Sequence, residues 1–299
     1  MSIIVYQEVA TPIVPAGDLA GRVREALGDA LRSMRYVTPD FAGLYQDDKG
    51  ITPVTAVGQP VGLMLDRRFG LARGPELLTN GDFSGGMTGV MVDLGTAVIS
   101  NGALRITAVG ETDGSVRLIF PATVGRTYEC TFDVVAAGND LLFKAGDSTP
   151  AGSSDALLEG AGGAGRKRFI FRSSHANGGF SSVGFIAWDY DSTAVVDNIS
   201  VKEVFGNHAS QTTAPARPHI QGGPLRIDYD GVDDYLRTVF PALGSNVTIA
   251  RSIPGVGAQI ITGQTIAAGN WDDSVSSCAV LVIDRALTGP ETALVTAFL

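Results

Sequence analysis

The run Arg126–Val135 limits the possible folds more than any other. Tyr128, Cys130, Phe132 and Val134 alternate with Glu129, Thr131 and Asp133, so an extended strand there buries one face and solvates the other. Thr96–Thr107 (TAVIS-NG-ALRIT) adds a hairpin. Asn101-Gly102 accepts the two positive φ angles of a type I′ turn between apolar runs. Further strands are predicted at Glu76–Phe83, Ser115–Phe120, Asp140–Ala145, Arg166–Arg172, Ser182–Trp188 and Ala194–Val204. About eight or nine short strands with Gly/Ser/Asp turns and no helical period call for a two-sheet β-sandwich or jelly roll.

Composition narrows the function classes. Of 299 residues 38 are glycine, with no three-residue period, and only 18% are charged while 44% are hydrophobic, which excludes collagen and a disordered chain. A net charge of −9 makes nucleic acid a poor partner. No apolar run reaches the roughly 20 residues of a membrane span, so no membrane insertion is expected. The first 20 residues lack a basic n-region and carry Glu8 and two prolines, unlike a secretory signal. Cys130 and Cys278 form no disulfide framework or zinc pattern and read as buried small apolar residues.

Three segments follow: 1–74, 75–205 and 206–299. In the first, Leu19, Val23, Ala26, Leu27, Ala30, Leu31 and Met34 recur at helical spacing, predicting a helix over Asp18–Tyr36 with Asp18 as N-cap and Thr38-Pro39 as its stop. Gly21 and Gly28 weaken it, so the helix packs on its own domain or docks on another protein. Proline-punctuated chain on either side reads as arms. Asp66, Arg67, Arg68 and Arg73 are candidates for inter-subunit pairs. In the third segment strands are expected at Leu225–Tyr229, Asp234–Phe240, Val247–Ile253, Gln259–Thr262 and Cys278–Asp284. Thr288-Gly-Pro-Glu291 fits a capping box before a short helix that covers a sheet edge or face.

GPELLTNGDFSGGMTG (74–89), the VISNGALRIT hairpin and VVDNISVKEV (195–204) together resemble carbohydrate-binding-like jelly rolls of the galactose-binding type. QDDKGITPVTAVGQPVGLMLD (46–66), RPHI (217–220), IDYDGVDDYL (227–236) and VIDRALTGPETALVTAFL (282–299) are similar to linked pieces of bacteriophage and prophage virion proteins, in which a laminin-G or concanavalin-A-like element follows the jelly roll. Two departures stand out: Val90 occupies a position usually held by tryptophan, and about 94 residues make only an abbreviated third element. The resemblance implies a mainly β chain: a virion-anchoring arm with one helix (1–74), a jelly roll (75–205) and a short lectin-like element (206–299). It further implies a structural, non-enzymatic component of a phage tail tip, baseplate or fibre. Such a protein is made in the host cytoplasm, assembles as a homotrimer with other tail proteins, and attaches to a host-surface glycan. The rival readings are a tail-borne glycan depolymerase and a secreted adhesin module.

Asp197 shares a predicted strand face with Val195, Ile199 and Val201 and should point inward, where a carboxylate must be paired, hydrogen-bonded or metal-bound. The resemblance implies a structural Ca²⁺ held by the Asn80–Asp82 region and Asp197; otherwise Asp197 caps backbone N–H groups. No other cofactor is expected. Asp228, Asp230, Asp233 and Asp234 lack EF-hand order and read as a capped turn or a cation site. Trp188, Tyr190 and Trp271 combine aromatic plates with polar neighbours, the chemistry of sugar binding, or else serve as core or interface. Gly160–Gly165 satisfies GxGxxG but precedes a strand, so it is a loop. Ser173-Ser174-His175 lacks a nucleophile elbow, and His175, His208 and His219 sit in polar loop contexts. Paired glycosidase carboxylates leave no sequence spacing to read.

Overall fold

The computed structural model describes residues 4–7, 16–137, 141–147, 154–158, 163–173, 179–188 and 191–299. The chain forms two compact units: a body, Met1–Ala72 with Gly206–Leu299, and a unit inserted between them, Arg73–Phe205. The expected arm and C-terminal element are therefore one unit. Strand Leu31–Tyr36 pairs with Ala279–Ile283, and Leu63–Met64 pairs with Ala209–Ser210. Neither segment completes a sheet without the other.

The body has one sheet ordered Ile4–Gln7, Gly257–Ile266, Gly244–Ile253, Ala279–Ile283, Leu31–Tyr36. A second is ordered Gly269–Asp273, Leu236–Phe240, Ala209–Ser210, Leu63–Met64, Leu44–Tyr45. Strand alternation divides the first sheet's side chains. Ala250, Leu281 and Ile283 pack with Ala20, Val23 and Leu27 of helix Ala16–Leu27 and Val295 of helix Gly289–Phe298. Val280, Val282 and Ile249 pack on the opposite side with Phe240 and Trp271.

The predicted helix over Asp18–Tyr36 is half right. It spans Ala16–Leu27, so Asp18 lies inside it and is not its N-cap. Gly28 takes φ +48°, which ends the α-helix, and after a short 3₁₀ turn Leu31–Tyr36 continues as strand. Leu31 and Met34 are still core. The apolar spacing marked burial correctly and the element wrongly.

That strand's outer edge is covered by polar groups from the 66–68 and 207 backbone turns. Asp66 Oδ1 accepts the N–H of Met34 (2.9 Å) and of Arg68 (2.8 Å), and Oδ2 accepts the N–H of Asn207 (2.8 Å). Asn207 Nδ2 donates to Arg32 O and Arg68 Nη1 to Leu31 O. Gly206 is required here: a Cβ on it would lie 2.7 Å from Asp66 Cβ. Asp66 is fully buried, and burial pushes its carboxyl above the ordinary value against the pull of these N–H groups. Arg67 donates to Thr38 and Ala42 and stacks on Tyr36, while Arg73 pairs with Glu129. The four linker charges expected between subunits are thus engaged within the chain.

The inserted unit is a sandwich. Its first sheet runs Gly165–Arg172, Thr127–Ala137, Thr193–Val204, Ala103–Thr107, Thr96–Ser100, with Arg73–Glu76 beside Thr193–Val204. Its second runs Ser154–Leu158, Leu141–Asp147, Phe180–Ala187, Gly114–Pro121, Val90–Leu94. The mainly β, sandwich-like fold is as the sequence led us to expect. Asn101 (φ +53°) and Gly102 (φ +81°) form the hairpin turn. Tyr128, Cys130, Phe132 and Val134 are buried as their alternation requires. Phe143 lies 5.1 Å from Phe132, 4.6 Å from Phe169 and 5.6 Å from Phe185 between ring centroids. The strand expected over Glu76–Phe83 stops at Glu76, whose carboxylate accepts the N–H groups of Leu77 and Leu78, and Phe83 turns at φ +54°. Val90–Leu94 and Ser154–Leu158 are strands the sequence reading missed. Cys278 is only half-buried, contrary to expectation.

The C-terminal helix covers a sheet face, with Val295 buried and Phe298 edge-on to Tyr36 at 5.4 Å. Glu291 accepts the N–H and hydroxyl of Thr288 (2.8 and 2.9 Å) and pairs with Arg285 at 2.7 Å. Arg285 above all, with the Thr288 bonds, holds the Glu291 carboxyl at about 2 against an ordinary 4.5.

Two outcomes follow. Asp66→Asn turns an amide donor toward a buried N–H and should cost about 2–3 kcal/mol in denaturant unfolding. Glu291 has a folded value below its ordinary one, so its stabilisation is present above about pH 4.5 and lost as pH falls toward about 2. Melting temperature should fall less steeply over that range in Glu291→Gln than in the parent.

Candidate functional site

The two outer faces of the sandwich differ in chemistry. On the outward side of the sheet containing Thr127–Ala137, Glu129 accepts from Arg73 (2.9 Å) and Arg168 (2.7 Å), and Arg166 pairs with Asp133 (3.1 Å). Burial pushes Glu129 up, but Arg73 and Arg168 outweigh it and hold its carboxyl below the ordinary value. These charges neutralise one another on a solvated face.

The opposite outer face is built on strand Phe180–Ala187. Val183, Phe185 and Ala187 point into the core, so strand alternation sends Phe180, Ser182, Gly184 and Ile186 outward, and Trp188 follows one residue past the strand. Ile186 sits between Leu142 and Ser115, with Leu94 beyond Ser115. Gly184 sits between Lys144 and Arg117, with Met91 beyond Arg117. Ser182 sits between Gly146 and Ile119. Arg117 is held by Asp93 at 2.9 Å. The result is a floor of glycine and serine among aliphatic side chains, with Phe180 (45% exposed) at one end of the strand and Trp188 (53% exposed) at the other. Ser182 and Gly184 are themselves buried; half-buried Ile119, Leu142 and Ile186 with exposed Met91 and Leu94 offer apolar surface for the C–H side of a sugar ring, and half-buried Ser115, Lys144 and Arg117 stand among them as polar groups for its hydroxyls.

Of the two aromatic candidates among the described residues, Trp188 lies on this face. Tyr190 is outside the described residues. Trp271 belongs to the body and is not a ligand platform: it is half-buried, edge-on to Phe240 at 5.9 Å, with Arg35 and Arg251 over its ring at 5.4 and 5.8 Å. Arg251 pairs with buried Asp273 at 2.8 Å, and Arg35 donates to Thr238 at 3.1 Å. These contacts bridge the body's two sheets. The sequence signal for Trp188 and Trp271 was the same, an aromatic beside aspartates; register alone separates them.

The residues expected to hold calcium do not converge. Asn80 Nδ2 donates to Gly86 O and Thr88 O, and its Oδ1 accepts the N–H of Gly85, so the side chain is consumed in closing its own loop. Asp82 is exposed and accepts the N–H and hydroxyl of Ser84, which lower its carboxyl. Asp197 does not point inward. Asn198 takes φ +50°, and the buried positions shift from Ala194 and Val196 to Ile199 and Val201. Asp197 is half-buried and accepts the N–H of Asn198. A cleft of about 330 Å³ does lie there, lined by Glu76, Leu78, Thr79, Gly81, Asp82, Asn198 and Ile199, but Asn80 and Asp197 are not in its wall.

Asp230 Oδ1 accepts the N–H groups of Val232, Asp233 and Asp234, and Asp234 Oδ2 accepts that of Asp230. The carboxylates of Asp230, Asp233 and Asp234 have oxygens within 4.8 Å of one another, in a self-capped turn. Asp228 pairs with Arg226. His208 Nδ1 accepts the backbone N–H of Asp66, a structural role; Ser174 and His175 lie outside the described residues.

No protein-family model matches the chain, and no curated protein matches it. Among solved structures the chain is similar to a CBM4 (12% identity, 42% of this chain and 99% of the other, TM-score 0.34). It is also similar to the enzymatically active domain of tailspike protein 4 of bacteriophage CBA120 (9% identity, 43% and 21%, TM-score 0.35). A third is TmCBM61 in complex with β-1,4-galactotriose (11% identity, 43% and 98%, TM-score 0.30). At such scores these likenesses carry no weight for function, and the site rests on its own geometry.

Trp188 and Trp271 should separate on truncation. Trp188→Ala should change unfolding free energy by less than about 0.5 kcal/mol, and Trp271→Ala should cost about 3–5 kcal/mol.

Proposed function

We propose that the sandwich binds a carbohydrate on the outer face of the sheet centred on Phe180–Ala187, without catalysis. We further propose that the whole chain is a structural component of a tailed-phage virion, in the tail tip, baseplate or fibre. One observation carries the binding reading: on the outward side of this sheet Leu142, Ile186, Ile119, Met91 and Leu94 gather around Gly184, and exposed Phe180 and Trp188 stand at the two ends of the central strand. An outward sheet face is ordinarily polar, and an apolar one marks an interaction surface. A sugar polymer suits it, because flat aromatic and aliphatic surface with scattered donors matches alternating C–H faces and hydroxyls.

The virion reading is supported by how the resembling pieces meet. Arg217, in RPHI, donates to Gln46 O and pairs with Asp48 at 3.2 Å, both in the 46–66 segment. Gly62 admits no side chain there, since a Cβ would lie 2.6 Å from the Asp47 carbonyl carbon. The pieces that resemble virion proteins thus lock together in the body, which is the part we assign to anchoring on other tail proteins.

The test uses the full chain in affinity electrophoresis through gels containing host-surface polysaccharides. A retarded parent and a Trp188→Ala variant weakened at least about tenfold, the size of one aromatic stacking contact, support the reading. Undiminished retardation of the variant, or reducing ends released from the polysaccharide, overturns it. Absence of the chain from purified phage particles overturns the virion assignment.

A further inference from the structure

We infer that two copies of this chain pair antiparallel through strand Thr96–Ser100, about a two-fold axis at Val98, joining their sandwiches into one continuous sheet. The strand is the last in its sheet, and Val90–Leu94 is the last in the other. Gly95 joins them at φ +66°, where a Cβ would meet Thr107 O at 2.4 Å. Among the described residues no strand pairs with the outer side of either, so 90–94 and 96–100 are two free edges joined at Gly95.

Free edges present unpaired N–H and C=O groups, and proteins usually guard them with charge or proline. The edge strand at the other end of the same sheet is guarded, by Arg166, Lys167 and Arg168. Thr96–Ser100 carries no charge, and the single charge in 90–100, Asp93, is consumed by Arg117. Met91, Val92, Leu94 and Val98 are all exposed. In a chain of net charge −9, this neutral edge is where two copies meet without repulsion.

The sequence of the strand is complementary to itself. About a two-fold axis at Val98, Thr96 faces Ser100 of the second copy, Ala97 faces Ile99, and Val98 faces Val98. Polar meets polar, and a small core-facing residue meets a large one. Ala97 and Ile99 pack against the core yet stay half-buried, because no described strand lies beyond them in the sheet; the second copy's Ile99 and Ala97 complete that cover. A closed two-fold contact of this kind is isologous. A contact of one strand pair belongs with the small, transient interfaces, so the dimer is to be sought at micromolar concentrations.

Sedimentation equilibrium of the full chain at about 1–200 μM reads the result. The parent should approach twice the chain mass. Val98→Lys, which sets two ammonium groups face to face, should weaken the dimer at least about tenfold with unchanged far-UV circular dichroism and melting temperature. Val98→Cys should give a disulfide-linked dimer with oxidised glutathione, since paired Cα atoms about 4.5–5.5 Å apart lie within disulfide reach. A monomeric parent, a trimer indifferent to Val98→Lys, or no cross-link in Val98→Cys overturns the inference. Sugar binding is read separately and does not bear on it.

Discussion

The carboxylate of Asp66 holds the body together at the point where the chain leaves it and comes back. Its two oxygens take N–H groups from three separate stretches, at Met34, Arg68 and Asn207. Those stretches are the last strand of the helix-covered sheet, the outgoing linker and the returning linker. Side chains on a sheet edge are a common guard, but here the guard also closes the insertion. With both linkers tied to one buried group, a sandwich of 133 residues can be inserted between them while the body's own edge strand stays satisfied. Glycine at 206 is part of the same device, since any side chain there would strike Asp66.

The sandwich divides its labour by face. The paired charges around Glu129 keep one side wetted, whereas Ile186, Met91, Leu94 and Trp188 give the other side apolar surface for a flat ligand. Phe132, Phe143, Phe169 and Phe185 fill the space between the two sheets with contacting rings, so neither face needs to move for the other to work. The site is carried on a rigid strand, which favours binding by a pre-formed surface.

Alternation made the sandwich legible from sequence. Tyr128 to Val134 and the Asn101-Gly102 hairpin are local patterns with local causes, and both stand in the structure. The body was illegible for the opposite reason. Leu31 and Met34 fit a helical seam as well as they fit a strand, and the choice is made by Ala279–Ile283, more than 240 residues away. Asp197 was placed on the wrong face because one residue, Asn198, adopts a positive φ and reverses the parity of everything before it. Trp188 and Trp271 looked alike because aspartates flank both; only the register of their strands shows one at a sheet's open end and the other wedged between Arg35 and Arg251.

The insertion has a consequence for synthesis. Residues 31–36 leave the ribosome long before their hydrogen-bonding partner at 279–283 exists, whereas every strand of the sandwich has its neighbours by residue 204. Domains fold as units while the chain is still growing, so the sandwich closes first, with strand 31–36 ahead of it still unpaired until the C-terminal strands arrive. The polar linkers around Asp66 are then the last joint to form.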